Sequence, residues 1–141
     1  MAFHLKPEDE QGTSALEFAL VAPVLLLILF GIIEYGWYVT HWIVLNNAVS
    51  AGVRAGIKAN EWEDEDPETL ALSAVKEACW IVQLNDRDID IEIIPYEKDS
   101  PRRLKVTVAS LKYKPVTGYL SVVSNAIIPQ HLAAKAVMAF P

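Results

Sequence analysis

Cysteine is nearly missing from this 141-residue chain. Cys79 stands alone, so neither an intramolecular disulfide nor a cysteine metal cluster can form. Histidine is sparse as well, with His4, His41 and His131 far apart in the sequence and in unlike settings. There is no glycine-rich phosphate loop, and no serine stands in a nucleophile-elbow sequence. These absences leave no catalytic set to name, argue against an enzyme and imply no cofactor or resident metal. Charge is missing from two places: residues 18–33 form an unbroken run of 16 uncharged residues, and residues 100–141 hold no acid.

The net charge of −6 conceals a segregation along the chain. Residues 1–60 carry 3 basic and 5 acidic groups, residues 61–99 carry 3 and 13, and residues 100–141 carry 6 and none. An acidic region of one copy could face a basic region of the next, the two could pair within one head, or both could be solvated faces. The basic residues of the last third are mostly spaced along strands without interleaved aromatics, which gives no case for nucleic acid.

The apolar run organises everything else. A helix this apolar has no polar face to turn to water, so it needs lipid or other helices around it. Residues 13–33 as a helix span about 31 Å, close to the hydrocarbon thickness of a bilayer. The expected layout is therefore a leader over 1–12, a long helix over 13–59 that is transmembrane at about 15–34, and an extracytoplasmic head over 60–141. Pro23 lies inside the span and cannot donate to the carbonyl of Ala19, so a kink or loosened turn is expected there. Tyr35, Trp37, Tyr38 and Trp42 follow the run closely, as a membrane-interface belt does. Lys6 is the only base on the N-terminal flank, and Arg54 the nearest on the other side, which favours an N-terminus inside and a head outside the cytoplasmic membrane. No A-x-A site closes the run, so any cleavage should fall ahead of it.

Gly12 is followed by Thr13, Ser14, Ala15, Leu16 and Glu17. A cut between Gly12 and Thr13 would make Glu17 the fifth residue of the mature chain, just before the apolar helix. That spacing resembles the prepilin-peptidase site of type IV pilins and pseudopilins. The stretch ALEFALVAPVLLLILFGIIEYG is similar to the N-terminal signature of TadE-like pseudopilins of tight-adherence pilus systems, and LNNAVSAGVRAGIKA resembles that family's second half-helix. The resemblance covers residues 12–59. It implies a prepilin held in the inner membrane, cut by a prepilin peptidase, and assembled through its N-terminal helix with other pilin-like subunits and the pilus assembly machinery. Glu17 would be the assembly charge, because a carboxylate within lipid is costly unless it meets a partner and the new Thr13 amine supplies one. The leader here is net acidic, whereas leaders of the family are usually rich in arginine and lysine.

Beyond the belt, Ala48, Gly52 and Gly56 recur every four residues and form a helix-packing face of very low bulk. Such a face allows close approach of another helix or a sheet, from the protein's own head or from a neighbouring subunit. Asn60 is a candidate helix terminator. The acidic cluster Glu61, Glu63, Asp64, Glu65 and Asp66 lacks the spacing and glycine of a calcium loop and reads as a solvated turn. Asp66 should N-cap a helix over 67–84, opened by Pro67, with Leu72, Val75, Cys79 and Val82 on its apolar face. Cys79 there reads as a buried small hydrophobe, with an intermolecular disulfide as the alternative for an extracellular head.

Residues 88–96 alternate, with Ile89, Ile91 and Ile93 on one face and Asp88, Asp90 and Glu92 on the other. In the next strand Leu104, Val106 and Val108 alternate, then Leu111 and Tyr113 resume one residue out of phase, which calls for a bulge at Ala109 and Ser110. Lys105 and Thr107 should lie opposite Glu92 and Asp90. After a less regular stretch over 115–129, residues 131–140 complete the sheet. The fold class is α+β: a long N-terminal hydrophobic helix followed by a short helix packed on a small antiparallel sheet, pilin-like. A different class of function, an uncleaved single-pass membrane anchor with an extracytoplasmic binding head, fits the same hydropathy.

Overall fold

The computed structural model describes residues 8–59, 65–98, 100–118 and 130–141. The candidate terminator Asn60, the acids Glu61, Glu63 and Asp64, residues 1–7 of the leader and most of the stretch 115–129 lie outside the described residues.

Helix α1 runs from Glu8 to Gly56, 49 residues or about 74 Å. Its interior is rich in Leu, Ala and Ile, and the helix continues on both sides of Pro23. Polar side chains in its second half fold back on the helix itself: Thr40 Oγ1 donates to the carbonyl of Gly36, Asn46 Nδ2 to that of Trp42 and Ser50 Oγ to that of Asn46. After Gly56 the backbone tightens, with the amides of Lys58 and Ala59 reaching back three residues to Ala55 and Gly56.

Helix α2 spans Pro67–Ala78. Asp66 caps it by accepting from the amides of Glu68 and Thr69, and Pro67 occupies a first-turn position where a missing N–H costs nothing. The helix stops six residues before the expected end at 84, because Cys79 leaves the helical region at φ −90°, ψ 68°. The chain that follows sends Leu84 and Ile89 into the core and leaves Trp80 outside, an arrangement a continued helix would not allow. A 3₁₀ turn at Asp86–Asp88 then forms, held by the Asn85 amide donating to Asp88 Oδ2 at 3.1 Å. It delays the first strand from 88 to 90.

Strands β1 (Asp90–Ile94), β2 (Arg103–Lys112) and β3 (His131–Ala139) form an antiparallel sheet in the order β1-β2-β3. The register puts Glu92 opposite Lys105 and Asp90 opposite Thr107, with an ion pair between Lys105 and Glu92. The β2–β3 register shifts between Val108 and Leu111, which keeps Leu104, Val106, Val108, Leu111 and Tyr113 all buried while Ala109 and Ser110 are exposed.

One face of the sheet packs on α1 and α2 around Leu45, Val49, Val53, Ala71, Val75, Leu104, Val106, Val108 and Leu132. Gly52 lies against Val75 and Gly56 against the Pro67 carbonyl, so α2 runs antiparallel to α1. Leu104 touches Gly56 and Tyr113 touches Glu34, so β2 also descends along the helix. The two lengths agree: 22 residues of helix cover about 33 Å, and nine residues of strand about 30 Å. The head therefore occupies the second half of α1 and ends at Glu34.

Candidate functional site: an exposed apolar helix and its junction with the head

Below Glu34 the helix is largely exposed, with Ala22, Phe30 and Gly31 half-buried. Leu16, Phe18, Leu20 and Ile32 are 72%, 71%, 78% and 67% exposed, and the consecutive residues Leu25, Leu26, Leu27, Ile28 and Leu29 are all exposed. Consecutive helical residues point about 100° apart, so apolar side chains cover the whole circumference rather than one stripe. Among the described residues this is one helix long and apolar enough to cross a membrane. Glu17 is exposed near its start and has no hydrogen-bond or ion-pair partner among the described residues. Gly12 is likewise open, with nothing near the place a side chain would occupy.

The head takes hold of the helix at Glu34, which is fully buried. Its Oε1 accepts from the Val116 amide at 2.9 Å and from the Tyr113 hydroxyl at 3.2 Å. Its Oε2 accepts from the Thr117 amide at 2.9 Å and from Thr117 Oγ1 at 2.6 Å. A carboxylate without water is tolerated only when donors replace its hydration, and four donors from a single loop do so here. Tyr113 is fixed in turn by edge-on contacts with Tyr38 and His41, at 5.4 and 5.6 Å between ring centroids. Burial first, and then the charge of Glu34, push the Tyr113 hydroxyl well above the ordinary tyrosine range, so it remains a donor. His41 Nδ1 lies 2.9 Å from the carbonyl of Trp37, one turn below.

The four aromatics after the apolar run divide between two roles. Tyr35, Trp37 and Trp42 are exposed, whereas Tyr38 is half-buried against Tyr113. The low-bulk strip turns into the head: Ala48 is fully buried, and Gly52 and Gly56 sit against α2 and β2. A Cβ on Gly52 would lie 2.3 Å from Val75 Cγ2, and one on Gly56 would lie 2.9 Å from the Pro67 carbonyl oxygen. The strip is thus occupied by the chain's own elements.

Residues 12–54 match the family model for TadE-like proteins. That similarity to TadE-like proteins is confined to 43 of the 141 residues. Neither the curated proteins nor the solved structures give a match to the chain. The TadE-like segment takes in the exposed helix, Glu34, the aromatic belt and Gly52, and stops before α2 and the sheet. The same segment holds one helix long and apolar enough to cross a membrane, near the N-terminus.

Within the TadE-like segment, the sequence drew attention to Gly12, Thr13, Glu17 and Pro23, and the structure leaves Gly12, Glu17 and Pro23 exposed on the apolar helix. Glu34 was missed as a site residue. The available signal was an acid ending a long uncharged run, a position where a carboxylate must find donors. Cys79 is buried, and burial pushes its thiol above the usual cysteine range, which makes it a poor nucleophile. Among the described residues no three His, Cys, Asp or Glu side chains gather in a way that could hold a metal.

Proposed function

We propose that the protein is a pilin-like structural subunit, a minor pseudopilin or a filament subunit, of a tight-adherence pilus. It enters the inner membrane as a prepilin with its N-terminus inside and its head outside. Prepilin peptidase cuts between Gly12 and Thr13, and the helix then moves from lipid to a core of sister helices. The observation that carries this reading is the exposure of large apolar side chains around the helix between residues 16 and 33, beside a head whose core among the described residues takes nothing from them. A soluble protein would cover that surface, and an anchor that only stays in lipid has no use for a carboxylate at its start. Glu17 sets subunit register in this reading, because an unpaired carboxylate in an apolar core penalises a mis-seated copy.

The competing reading is an uncleaved single-pass anchor that presents the head as a binding module. One feature favours it: α1 begins at Glu8, so the bond between Gly12 and Thr13 lies within a helix and must unwind before a protease can cut it. Intact-mass measurement on the membrane and sheared-filament fractions separates the two, with a mature chain starting at Thr13 expected and a chain keeping residues 1–12 refuting the prepilin. Glu17→Ala should insert and be cut normally yet fail to enter filaments. Unimpaired incorporation removes Glu17 from the mechanism.

A further inference from the structure

The membrane-facing end of the head contains a cavity of about 580 Å³ lined by Trp37 and His41 of α1, by Gln83, and by Lys112, Lys114 and Val116 around the end of β2. That volume is in the range of small-molecule sites, roughly 300–1,000 Å³. No acidic side chain lines it. Lys112 and Lys114 are exposed and have no ion-pair partner among the described residues. Glu34, at the same end of the head, is buried and its oxygens are taken up by Tyr113, Val116 and Thr117. The sequence supplies no other counter-charge from this part of the chain, since residues 100–141 hold none.

The height of the cavity is fixed by the helix. Trp37 lies one turn past Ile33 and His41 two turns past it, about 6 and 12 Å beyond the end of the uncharged run. The headgroup layer starts at the end of the run and is roughly 5–7 Å deep on each side, so His41 stands outside it, Trp37 at its outer edge and Glu34 within it. Lys114 is tied to the same level, because Val116, two residues on, donates to Glu34. An exposed tryptophan and two cations without an ion-pair partner among the described residues, beside a cavity at this height, match an anionic phosphate with an apolar tail below it. The acids of a neighbouring copy are the competing counter-charge: Asp66 caps α2 at the Gly56 end of the head, about 33 Å along the helix from Glu34, while Asp86 and Asp88 lie in the 3₁₀ turn beside β2.

We propose that this cavity is a binding site for the phosphate of an anionic phospholipid, with Lys112 and Lys114 holding the phosphate and Trp37 bordering the headgroup. The site rests on the membrane-inserted state of the chain and not on cleavage or filament assembly.

The test uses the full chain in nanodiscs of phosphatidylcholine containing a minority of phosphatidylglycerol, with retained lipid counted by native mass spectrometry. Wild type should keep phosphatidylglycerol in preference to phosphatidylcholine. Lys112→Gln and Lys114→Gln should each weaken that preference about 5-fold, the effect of one basic side chain at an anionic surface. Lys135→Gln, at mid-strand opposite Thr107, should leave it unchanged. Equal retention of both lipids, or an equal loss in Lys135→Gln, overturns the site, the second by reducing it to net charge. Unchanged lipid retention with lost self-association in Lys112→Gln plus Lys114→Gln assigns the lysines to a neighbouring copy and overturns it too. Carbonate extraction of the membranes reports insertion separately, so failure of the membrane reading is distinguishable from failure of the lipid site.

Discussion

Glu34→Ala is expected to loosen the head from the helix at the membrane border. The substitution removes the acceptor for two backbone amides, Val116 and Thr117, and for the hydroxyls of Thr117 and Tyr113. A buried donor left without a partner costs about 1–3 kcal/mol. The two hydroxyls can turn to other acceptors and water can reach the half-buried loop, so the two amides dominate and the lower part of that range applies to each. The expected loss is about 2–4 kcal/mol. For a domain of this size it corresponds to a fall in Tm of about 10–20 °C. Thermal unfolding of the full chain in micelles, followed by tryptophan fluorescence, reads the total. Hydrogen exchange at Val116 and Thr117 reads the local part, and both amides should lose protection before the strand β2 does. Thr117→Ala, which removes a hydroxyl and keeps both amide bonds, should cost about 1 kcal/mol. A Glu34→Ala variant that unfolds within 2 °C of wild type, with protected amides at 116 and 117, would refute the clasp.

Two further outcomes follow from the same packing. Gly52→Ala should destabilise by about 1–2 kcal/mol, because crowding Val75 and the Ala71 carbonyl outweighs the gain of about 1 kcal/mol in helix propensity. Gly36→Ala, where nothing lies within 4 Å of the new carbon, should be neutral or stabilising in the same melting assay. At high pH, unfolded Tyr113 ionises near 10 while the folded hydroxyl holds its proton to a higher value. Its contribution is therefore complete below pH 10 and is lost as the pH climbs toward the folded value. Tyr113→Phe should flatten that alkaline decline in denaturant titrations and leave the curve at neutral pH lower by no more than about 1.5 kcal/mol.

The legible parts of the fold were those written in local patterns. The alternation of isoleucine with Asp90 and Glu92 defined β1, and the phase slip between Val108 and Leu111 announced the bulge that the β2–β3 register contains. Asp66 with Pro67 named the start of α2. Its end was not legible, because Cys79 and Val82 continue the helical spacing and neither glycine nor proline marks the stop. What turns the chain there is the demand of the core for Leu84 and Ile89, a tertiary cause with no local sign. The strip of Ala48, Gly52 and Gly56 revealed that something comes close, but its bulk is the same whether the neighbour is α2 or another copy. Glu34 was hardest, since two of its four donors are backbone amides 82 and 83 residues away, and an amide has no residue type to recognise.

The position of Glu34 bears on how one helix could serve two solvents. The clasp and every large core side chain of α1, from Leu45 onward, lie at or beyond residue 34, while the core among the described residues takes no side chain from residues 16–33, where Phe30 and Gly31 are half-buried. Replacing lipid by sister helices around the lower half therefore leaves that core unchanged. Had the head packed on residues before 34, each exchange of solvent would break core contacts worth several kcal/mol. Had Glu34 lacked its clasp, the carboxylate itself would have to follow the change of surroundings, at the cost of desolvating a free charge. A satisfied acid at the border separates a half whose neighbours can change from a half whose packing stays fixed. That separation is what the proposed move from membrane to filament would need, and it predicts that head-directed variants such as Gly52→Ala lower stability without altering membrane insertion.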